Sequence, residues 1–226
     1  MGRKPWLSVV ALLVLVAGLG VLLYPTLQNF LYDRDTEKLK REFLQSPGDY
    51  EALYAFLKAE NERLFATGQD ELTDAFSYEQ PAVDLSAYGI RDNIIGFISI
   101  PAIDIELPIL LGANKTNMMK GAVHLTETSY PIGGENTNSV IAAHRGQTVK
   151  QFRYIHKVQV GDEIIITNFR EVLTYRAAEI RIIWPWETRT ILIQPDRELL
   201  SLLSCHPLGD NTPRNQRYLV VCERVK

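Results

Sequence analysis

The N-terminal part of the chain is an uninterrupted apolar run. Residues 6–23 contain no charge, and Val, Leu, Ala and Gly dominate them. About 18 such residues suffice to cross a bilayer as a helix. Arg3 and Lys4 precede the run, and cationic residues favour the cytoplasmic side. We predict a cytoplasmic tail at 1–5, one transmembrane anchor at 6–24 in the cell membrane, and an extracytoplasmic remainder.

A cleaved signal peptide is the alternative interpretation of this run. Its positively charged start fits both possibilities. The sequence Leu22-Leu23-Tyr24-Pro25-Thr26 offers no small-x-small cleavage pattern, however, and the apolar core is long for a signal. We therefore favour an uncleaved anchor.

The anchor is followed by sequence with helical character. The charged stretch Tyr32–Gln45 permits a helix, and Ser46-Pro47-Gly48-Asp49 then interrupts it. A second helix is predicted over Tyr50–Phe65, because its apolar residues recur at helical spacing. Ser46 or Asp49 can cap this helix, and Gly68 ends it. These features predict an extracytoplasmic helical segment at 25–70.

An irregular stretch separates these helices from the rest of the chain. Between Glu71 and Gly89 the sequence holds Pro81 and the aromatic residues Phe76, Tyr78 and Tyr88, without clear periodicity. A long loop without structure of its own is unusual in a compact domain and is often a lid. We predict a lid loop at 71–90.

Short β-rich runs bounded by Pro, Gly and Asp make up the remainder, 91–226. The predicted strands are Ile94–Ile100, Ile105–Leu110, Ser139–His144, Glu163–Thr167, Val172–Trp184, Thr190–Ile193, Leu199–Ser204 and Tyr218–Glu223. Two short helices fit between them, near Lys115–Lys120 and Val149–Ile155. Eight short strands with few helices predict a mainly β domain, either a closed barrel or a sandwich.

Charge and cysteine content narrow the possible functions. The net charge is −3, which gives no reason to expect nucleic acid as a partner. The two cysteines, Cys205 and Cys222, would permit one disulfide in an exported protein. Cys222 lies in the apolar strand Tyr218–Glu223, where a small buried thiol is ordinary packing. We expect Cys205 to be a reactive thiol rather than half of a disulfide.

Three chemically capable side chains lie at predicted strand edges. Cys205 ends one strand, because Pro207 cannot donate to a ladder. His144 ends another, and a neighbouring imidazolium would favour the thiolate and could protonate a leaving amine. Arg217 begins a third, where its fixed donors suit an oxyanion or a substrate backbone. Together they predict an acyl-transfer site with a thiol nucleophile.

Other side chains near these positions have weaker claims. His206 neighbours Cys205, but adjacent strand residues point to opposite faces, so we exclude it as the base. Arg214 lies in the same loop as Arg217 and remains the alternative arginine. His124 is expected to pack or to support the site. The histidines lack metal-ligand spacing with the cysteines, so neither a metal nor a cofactor is predicted.

At this point the chain resembles the sortases, the cysteine transpeptidases of Gram-positive cell surfaces. The matching segments are Thr128–Asn136 (Thr-Ser-Tyr-Pro-Ile-Gly-Gly-Glu-Asn), Ser139–Gly146 (Ser-Val-Ile-Ala-Ala-His-Arg-Gly), Leu202–Cys205 and Arg217–Val221. The family order of His, Cys and Arg holds here. The resemblance implies an eight-stranded β-barrel with His144, Cys205 and Arg217 as catalytic residues. It also implies cleavage of an LPXTG-like sorting signal between Thr and Gly, through a thioacyl enzyme, and transfer to an amine.

The lid segment resembles that of the class C, pilin-polymerising sortases. Thr73–Glu79 is similar to a segment with an Asp-Pro-aromatic motif over the active site. By that resemblance Asp74 pairs with the catalytic arginine and Phe76 covers Cys205. The chain departs from the pattern because Ala75 replaces the proline, the loop between Cys205 and Arg217 is longer, and the C-terminal membrane span is missing. Ser204 also replaces the threonine that often precedes the cysteine.

The resemblance defines the expected partners. They are LPXTG-type surface proteins or pilins as acyl donors, and a pilin lysine or the cell-wall precursor as the amine. Pilus assembly is the favoured reading, and a housekeeping enzyme that anchors surface proteins to the cell wall is the alternative. A non-catalytic surface scaffold is the rival from another class.

Overall fold

The computed structural model describes residues 5–70, 72, 83–90, 92–146, 150–207 and 215–225. Its β-rich part is a closed barrel of eight strands, in the order β1-β2-β3-β4-β7-β8-β6-β5. The strands are β1 (Ile94–Ile100), β2 (Ile105–Leu111), β3 (Ala122–His124), β4 (Thr137–Ala142), β5 (Glu163–Asn168), β6 (Val172–Ile183), β7 (Glu198–His206) and β8 (Gln216–Arg224). The β2–β3 and β4–β7 pairs are parallel and the others antiparallel. The barrel expected from the sequence is confirmed.

Two of the predicted β elements require correction. Thr190–Ile193 is not a strand, because Thr188–Ile191 forms a 3₁₀-helix in which the Thr190 amide and hydroxyl both donate to the Glu187 carbonyl, at 3.1 and 2.7 Å. The strand β3 was missed, because three residues are too few to show a period of two. The predicted number of eight is therefore right, while one member differs.

The short helices agree more closely. The helix α3 covers Lys115–Lys120 as predicted, and Asn114 caps it by accepting from the Asn117 amide at 2.9 Å. The element predicted near Val149–Ile155 is a 3₁₀-helix over Gln151–Lys157, and Val149 lies outside the described residues.

Two apolar clusters stabilise the barrel from opposite faces of the same strands. The larger cluster includes residues from all eight strands, among them Ile141, Leu202 and Val220, and so marks the barrel interior. The smaller one contains Ala142, Leu203 and Leu219, the next residues along or back on the same strands. Because successive strand residues alternate faces, the smaller cluster lies on the outside of β4, β7 and β8.

The N-terminal helix α1 is continuous over Pro5–Gln45 and includes Pro25. By length and composition it is apolar enough to cross a membrane, and its most apolar window has no buried residue. Its C-terminal part packs on the barrel, where the Phe43 and Phe97 rings lie 5.6 Å apart and Lys40 forms an ion pair with Glu106. The predicted division between anchor and extracytoplasmic segment stays a prediction, because the helix is unbroken there.

The second helix, α2, covers Tyr50–Thr67 and holds the long loop before β4. Asp49 caps it by accepting from the Ala52 amide at 3.1 Å, and Gly68 ends it with a left-handed φ of 76°. Asn61, in the helix, accepts from the Tyr130 amide at 2.7 Å and donates to the Tyr130 carbonyl at 3.3 Å. Both bonds are buried, so α2 fixes the segment that leads into β4.

His124 is a buried component of this arrangement. Its ring stacks on Tyr130 with centroids 4.9 Å apart, and its Nε2 lies 3.0 Å from the Ser129 carbonyl and 3.2 Å from the Thr128 carbonyl. Burial lowers the pKa of His124 to about 4, although the two carbonyl contacts oppose this shift. The imidazole is therefore neutral at neutral pH, as suits the expected packing role.

This shift predicts a pH dependence of stability. The folded-state pKa lies below the unfolded value of 6.5, so the unfolded chain binds the proton first as pH falls. The contribution of the neutral His124 ring to stability is fully present above pH 6.5 and is lost as pH falls towards 4. Between pH 7 and 4.5 we expect His124 to account for about 2–3 kcal/mol of lost unfolding free energy. Urea unfolding of the wild type and His124→Gln at both pH values measures this difference.

His156→Gln is the control for that experiment, because His156 is an exposed histidine on the 3₁₀-helix. It should keep most of the wild-type slope. An identical pH dependence in wild type and His124→Gln would contradict the prediction.

Candidate active site

The parallel pairing of β4 with β7 brings two predicted site residues to the same end of the barrel. The register runs from Thr137 opposite Glu198 to Ala142 opposite Leu203. It continues past the end of β4, because the Ala143 amide donates to the Leu203 carbonyl at 3.2 Å. Extending it by one further residue places His144 level with Cys205.

A second pairing places the predicted arginine. In the antiparallel β7–β8 ladder, Cys205 is directly opposite Arg217. Opposed residues share a face, with Cβ atoms about 4.5–5.5 Å apart. Arg217 is buried, and its Nη1 donates to the Gln216 carbonyl at 3.1 Å, whereas Cys205 is half-buried.

Cys205 and Arg217 belong to the outer face of the barrel wall. Cys205 alternates with Leu203, and Arg217 with Leu219, both members of the outer cluster. The strand geometry thus brings the predicted thiol and guanidinium to one face, with the backbone of His144 level with them just past the end of β4.

His206 lies on the opposite face of β7. Its ring stacks on Tyr218 with centroids 6.2 Å apart, and Tyr218 is paired with Ser204 rather than with Cys205. Burial, and then the charge of Arg145, lower the pKa of His206. This placement agrees with its exclusion as the base.

The backbone of His144 is held on both sides. Its amide donates to the Gln151 side-chain oxygen at 3.1 Å, and its carbonyl accepts from the Phe152 amide at 3.1 Å. Gln151 is buried and also donates to the Met118 carbonyl at 3.0 Å. The residue after the strand is therefore as firmly placed as one within it. Nothing in the sequence singled out Gln151 for this role.

Arg145 is a second residue that the sequence analysis missed. Only 4% of this charged side chain is exposed. Its Nη1 donates to the carbonyl of Cys205 at 3.2 Å and lies 3.4 Å from Nδ1 of His206. Its guanidinium carbon lies 5.1 Å from the centroid of the Tyr218 ring. The residue after His144 thus reaches the backbone of the candidate nucleophile.

A third contact joins the same two strands. Ser204 donates from its hydroxyl to the Ala143 carbonyl at 2.9 Å, within the barrel. A serine in place of the commoner threonine thus keeps a hydroxyl that ties β7 to β4 one residue before each candidate site residue.

The two cysteines differ in their surroundings. Both are thiols rather than halves of a disulfide. Cys222 lies in the barrel interior with no exposed surface, and burial raises the pKa of its thiol well above the ordinary value. Cys205, at the end of its strand, is the thiol that a reagent or a substrate can reach.

The remaining site predictions fall outside the described residues. Asp74, Phe76 and Arg214 are these residues, so the lid contacts and the choice between the two arginines stay predictions. Of the predicted lid range 71–90, the structure describes residues 72 and 83–90. There Leu85–Tyr88 forms a 3₁₀-helix with Leu85 buried in the larger cluster, so this end of the range is not an irregular loop. Within the described ranges, no group of three His, Cys, Asp or Glu side chains could hold a metal ion.

A model of the sortase domain family matches residues 98–225. The chain therefore belongs to the sortase family, and sortases are cysteine transpeptidases. Sortase D of Bacillus subtilis is 32% identical over 132 residues, which cover 58% of this chain and 63% of that protein. Sortase A of Bacillus anthracis is 25% identical over 229 residues, which cover 100% of this chain and 97% of that protein.

Comparison with solved structures shows which class of sortases the chain is similar to. Sortase C1 of pilus island 1 from Group B Streptococcus has a TM-score of 0.74 at 26% identity, covering 85% of this chain and 92% of its own. Sortase C2 of the same island has a TM-score of 0.69 at 32% identity, covering 78% and 97%. The structural neighbours are thus class C pilus sortases, which confirms the resemblance found in the motifs.

The position of Arg145 predicts an effect on the reactivity of Cys205. The guanidinium lies on the face of β7 opposite the thiol, but it binds the carbonyl of Cys205, and a nearby positive charge favours the thiolate, which is the nucleophile. Arg145→Met keeps the length of the side chain but loses the charge and both hydrogen bonds. We expect its rate of alkylation by iodoacetamide at neutral pH to fall roughly tenfold, as for a tenfold smaller thiolate fraction. The rate is measured by mass spectrometry of the peptide that contains Cys205.

Two further variants make this result specific. Arg145→Lys keeps the charge without the planar fork and should restore part of the rate. Arg181→Met removes an exposed arginine that pairs with Glu179, and should leave the rate unchanged. Equal rates in wild type and Arg145→Met would show that the guanidinium only fills space.

Proposed function

We propose that this chain is a membrane-anchored sortase that joins pilins, through an LPXTG-like sorting signal and a pilin lysine. The observation that carries the proposal is the register in which Cys205 is opposite Arg217, with the backbone of His144 level with them just past the end of β4. The similarity to pilus sortases supports the choice of substrate class.

The chemistry begins with attack by the thiolate. The sulfur of Cys205 adds to the carbonyl of the sorting-signal threonine, and the negative charge moves to the carbonyl oxygen. Arg217 stabilises that oxyanion or orients the substrate backbone. His144 donates a proton to the glycine nitrogen as the Thr–Gly bond breaks. A thioester remains on Cys205, and the glycine-containing fragment leaves with a free amine.

The second half of the reaction returns the enzyme to its starting state. The neutral lysine amine of a second pilin attacks the thioester carbonyl, and His144 accepts the proton that this nitrogen loses. The C–S bond then breaks and the thiolate of Cys205 is released. The product is an isopeptide bond, so one peptide bond is exchanged for another without an external energy source.

A lid over this site is part of the proposal. Asp74 would pair with the site arginine, and Phe76 would cover the thiol. Ala75 restricts the backbone less than a proline would, so closure should be only marginally favourable. A pilin that displaces the lid would then gain access that a free peptide lacks.

The proposed location follows from α1. Its apolar residues 6–24 would cross the cell membrane once, with residues 1–5 in the cytoplasm and the barrel outside. The helix is long and apolar enough for this, and its apolar surface is not covered by the barrel. An exported enzyme of this kind meets its surface-protein substrates where they emerge.

A housekeeping sortase is the second candidate function. The full-length similarity to sortase A of Bacillus anthracis favours it. In that case the amine would belong to the cell-wall precursor instead of a pilin. The two candidates share the thioacyl step and differ in the nucleophile. A non-catalytic scaffold is disfavoured by membership of a family of transpeptidases.

The main experiment measures both halves of the reaction. The full chain in detergent is mixed with a fluorogenic sorting-signal peptide and either a lysine peptide from a pilin or the amine of a cell-wall stem peptide. We expect cleavage, and preferential transfer to the lysine peptide. Cys205→Ala should abolish the reaction, because the thioester cannot form. His144→Ala should lower the rate by about 10²-fold or more.

Different outcomes separate the parts of the proposal. Preferential transfer to the stem-peptide amine would assign the housekeeping role. Cleavage by Cys205→Ala within about tenfold of wild type would remove the thioacyl mechanism altogether.

The two arginines give a sharper prediction. Arg217→Ala should lower the cleavage rate by about 10²–10³-fold, the range for loss of one oxyanion donor. Arg217→Lys should recover only part of this loss, because it keeps the charge without the planar fork. Arg214→Ala is the matched control and should change the rate little. The reverse order of the two alanine variants would assign the role to Arg214.

A further inference from the structure

Two tryptophans are exposed beside the candidate active site. Trp184 and Trp186 stack with ring centroids 5.0 Å apart and planes 9° from parallel. Trp186 is 72% exposed and Trp184 is 38% exposed. Two adjacent large apolar rings exposed at one turn form a patch of the kind that marks a contact surface.

The turn that carries the rings is closed on itself. The Trp184 amide donates to the Glu187 carboxylate at 2.6 Å, and the Glu187 amide donates to the Trp184 carbonyl at 3.0 Å. Pro185 lies between the two rings along the chain. The pair is therefore presented in a fixed geometry, so little conformational entropy is lost when another surface covers it.

The pair lies at the same end of the barrel as the candidate active site. Ile183, the last residue of β6, is opposite Arg217 in β8, and Arg217 is opposite Cys205 in β7. The chain leaves β6 in the direction in which β7 ends. Trp184 and Trp186 follow at once, so they project beyond the level of Cys205.

The helix α1 leaves the barrel at that end too. Its Asp33 accepts an ion pair from Lys150 at 2.8 Å, and Lys150 also contacts Asp104, which immediately precedes β2. At its other end, Ser46 donates to the Gly89 carbonyl at 3.5 Å, close to the start of β1. Both β1 and β6 are antiparallel to β5, so the end of β1 lies at the same end of the barrel as the end of β6. The start of β2 is level with the end of β1. Going from Ser46 back towards its N-terminus, α1 therefore passes the active-site end before its apolar part begins.

The distance from this end to the apolar run is short. Between Tyr24 and Asp33 an α-helix rises about 13 Å. Exposed apolar residues continue across this interval, namely Leu27, Phe30 and Leu31. The headgroup region on one side of a bilayer is about 5–7 Å deep. The remaining gap is several ångströms, so a tilt of α1 that lowers the β6 side of the barrel moves the tryptophan pair towards the membrane surface.

We propose that the active-site end of the barrel faces the bilayer and that Trp184 and Trp186 insert into its headgroup region. The inference rests on the proposed anchoring by α1. Tryptophan rings favour this zone, because their apolar body and polar N–H are both accommodated there. The enzyme thus has two membrane contacts, the helix and the ring pair, which together orient the active-site end of the barrel towards the membrane surface.

The test uses the full chain with single tryptophans in phospholipid vesicles. Trp6→Phe with Trp184→Phe leaves Trp186 as the one fluorophore. The vesicles are phosphatidylcholine with a minority of phosphatidylglycerol, with or without lipid brominated on the acyl chain near the headgroup. Bromine quenches only tryptophan rings close to it. Because both leaflets contain the brominated lipid, quenching does not depend on which way the protein is inserted. We expect the brominated lipid to lower Trp186 emission by about twofold or more, as for a ring at the interface.

A matched control places the fluorophore at the other end of the same strand. Val172 begins β6, is 58% exposed and lies away from the active-site end. Val172→Trp, with all three natural tryptophans changed to phenylalanine, should show no quenching. The reciprocal variant that keeps Trp184 alone should be quenched less than the one that keeps Trp186, in line with its smaller exposure. Circular dichroism checks that each variant is folded.

Flotation of the same samples in a density gradient separates this inference from the anchor. Protein that fails to float with the vesicles overturns the anchor and the inference together. Protein that floats, with Trp186 unquenched, overturns the membrane contact and leaves the anchor standing. A shift of Trp186 emission on adding a soluble sorting-signal peptide, without quenching by lipid, would assign the rings to substrate. Trp186 emission that changes only with the number of protein molecules per vesicle would assign the rings to contact with a second copy of the chain.

Discussion

The parallel pairing of β4 with β7 is the constraint on which the site depends. Ser204 and Ala143 are 61 residues apart along the chain, yet one ladder makes them neighbours. A slip of one residue would turn every side chain of β7 to the opposite face. Cys205 would then enter the face that Ser204 occupies, inside the barrel. The alternating apolar residues of the two clusters oppose such a slip, so the packing of the core also fixes the position of the thiol.

Much of this arrangement is visible in the sequence, and the reasons for the failures are local. The strands that hold the site are apolar runs with clear ends, so β4, β7 and β8 were found to within about two residues, an ordinary boundary error. β3 has only three residues and exists because β2 and β4 flank it. The run Thr190–Ile193 has strand-like composition, but the hydrogen bonds from Thr190 to the Glu187 carbonyl favour a 3₁₀-helix there. Gln151 and Arg145 carry no signal of their own, because each has a partner that is remote in sequence, Met118 for Gln151 and Cys205 for Arg145.

Arg145 shows how a site can gain rigidity and charge from one residue. A buried guanidinium is costly unless contacts within the protein replace its water, and here the Cys205 carbonyl and the Tyr218 ring supply two such contacts. The carbonyl belongs to Cys205, so the group that compensates for burial also binds the nucleophile's strand to the turn after His144. Burial, and then the same charge, lower the pKa of His206 on the other face of the strand. One arginine therefore contacts both residues at the end of β7.

The continuity of α1 has a consequence for how the enzyme sits among its neighbours. A helix advances by 1.5 Å and turns by about 100° with each residue. The C-terminal part of this helix contacts the barrel domain through Phe43, Lys40 and Asp33. The number of residues between the apolar run and Asp33 therefore sets a rotational phase as well as a height. Insertion of one residue there would rotate the candidate active site by about a quarter-turn around the anchor. The site would then face a different set of membrane neighbours, while every contact within the barrel stayed unchanged.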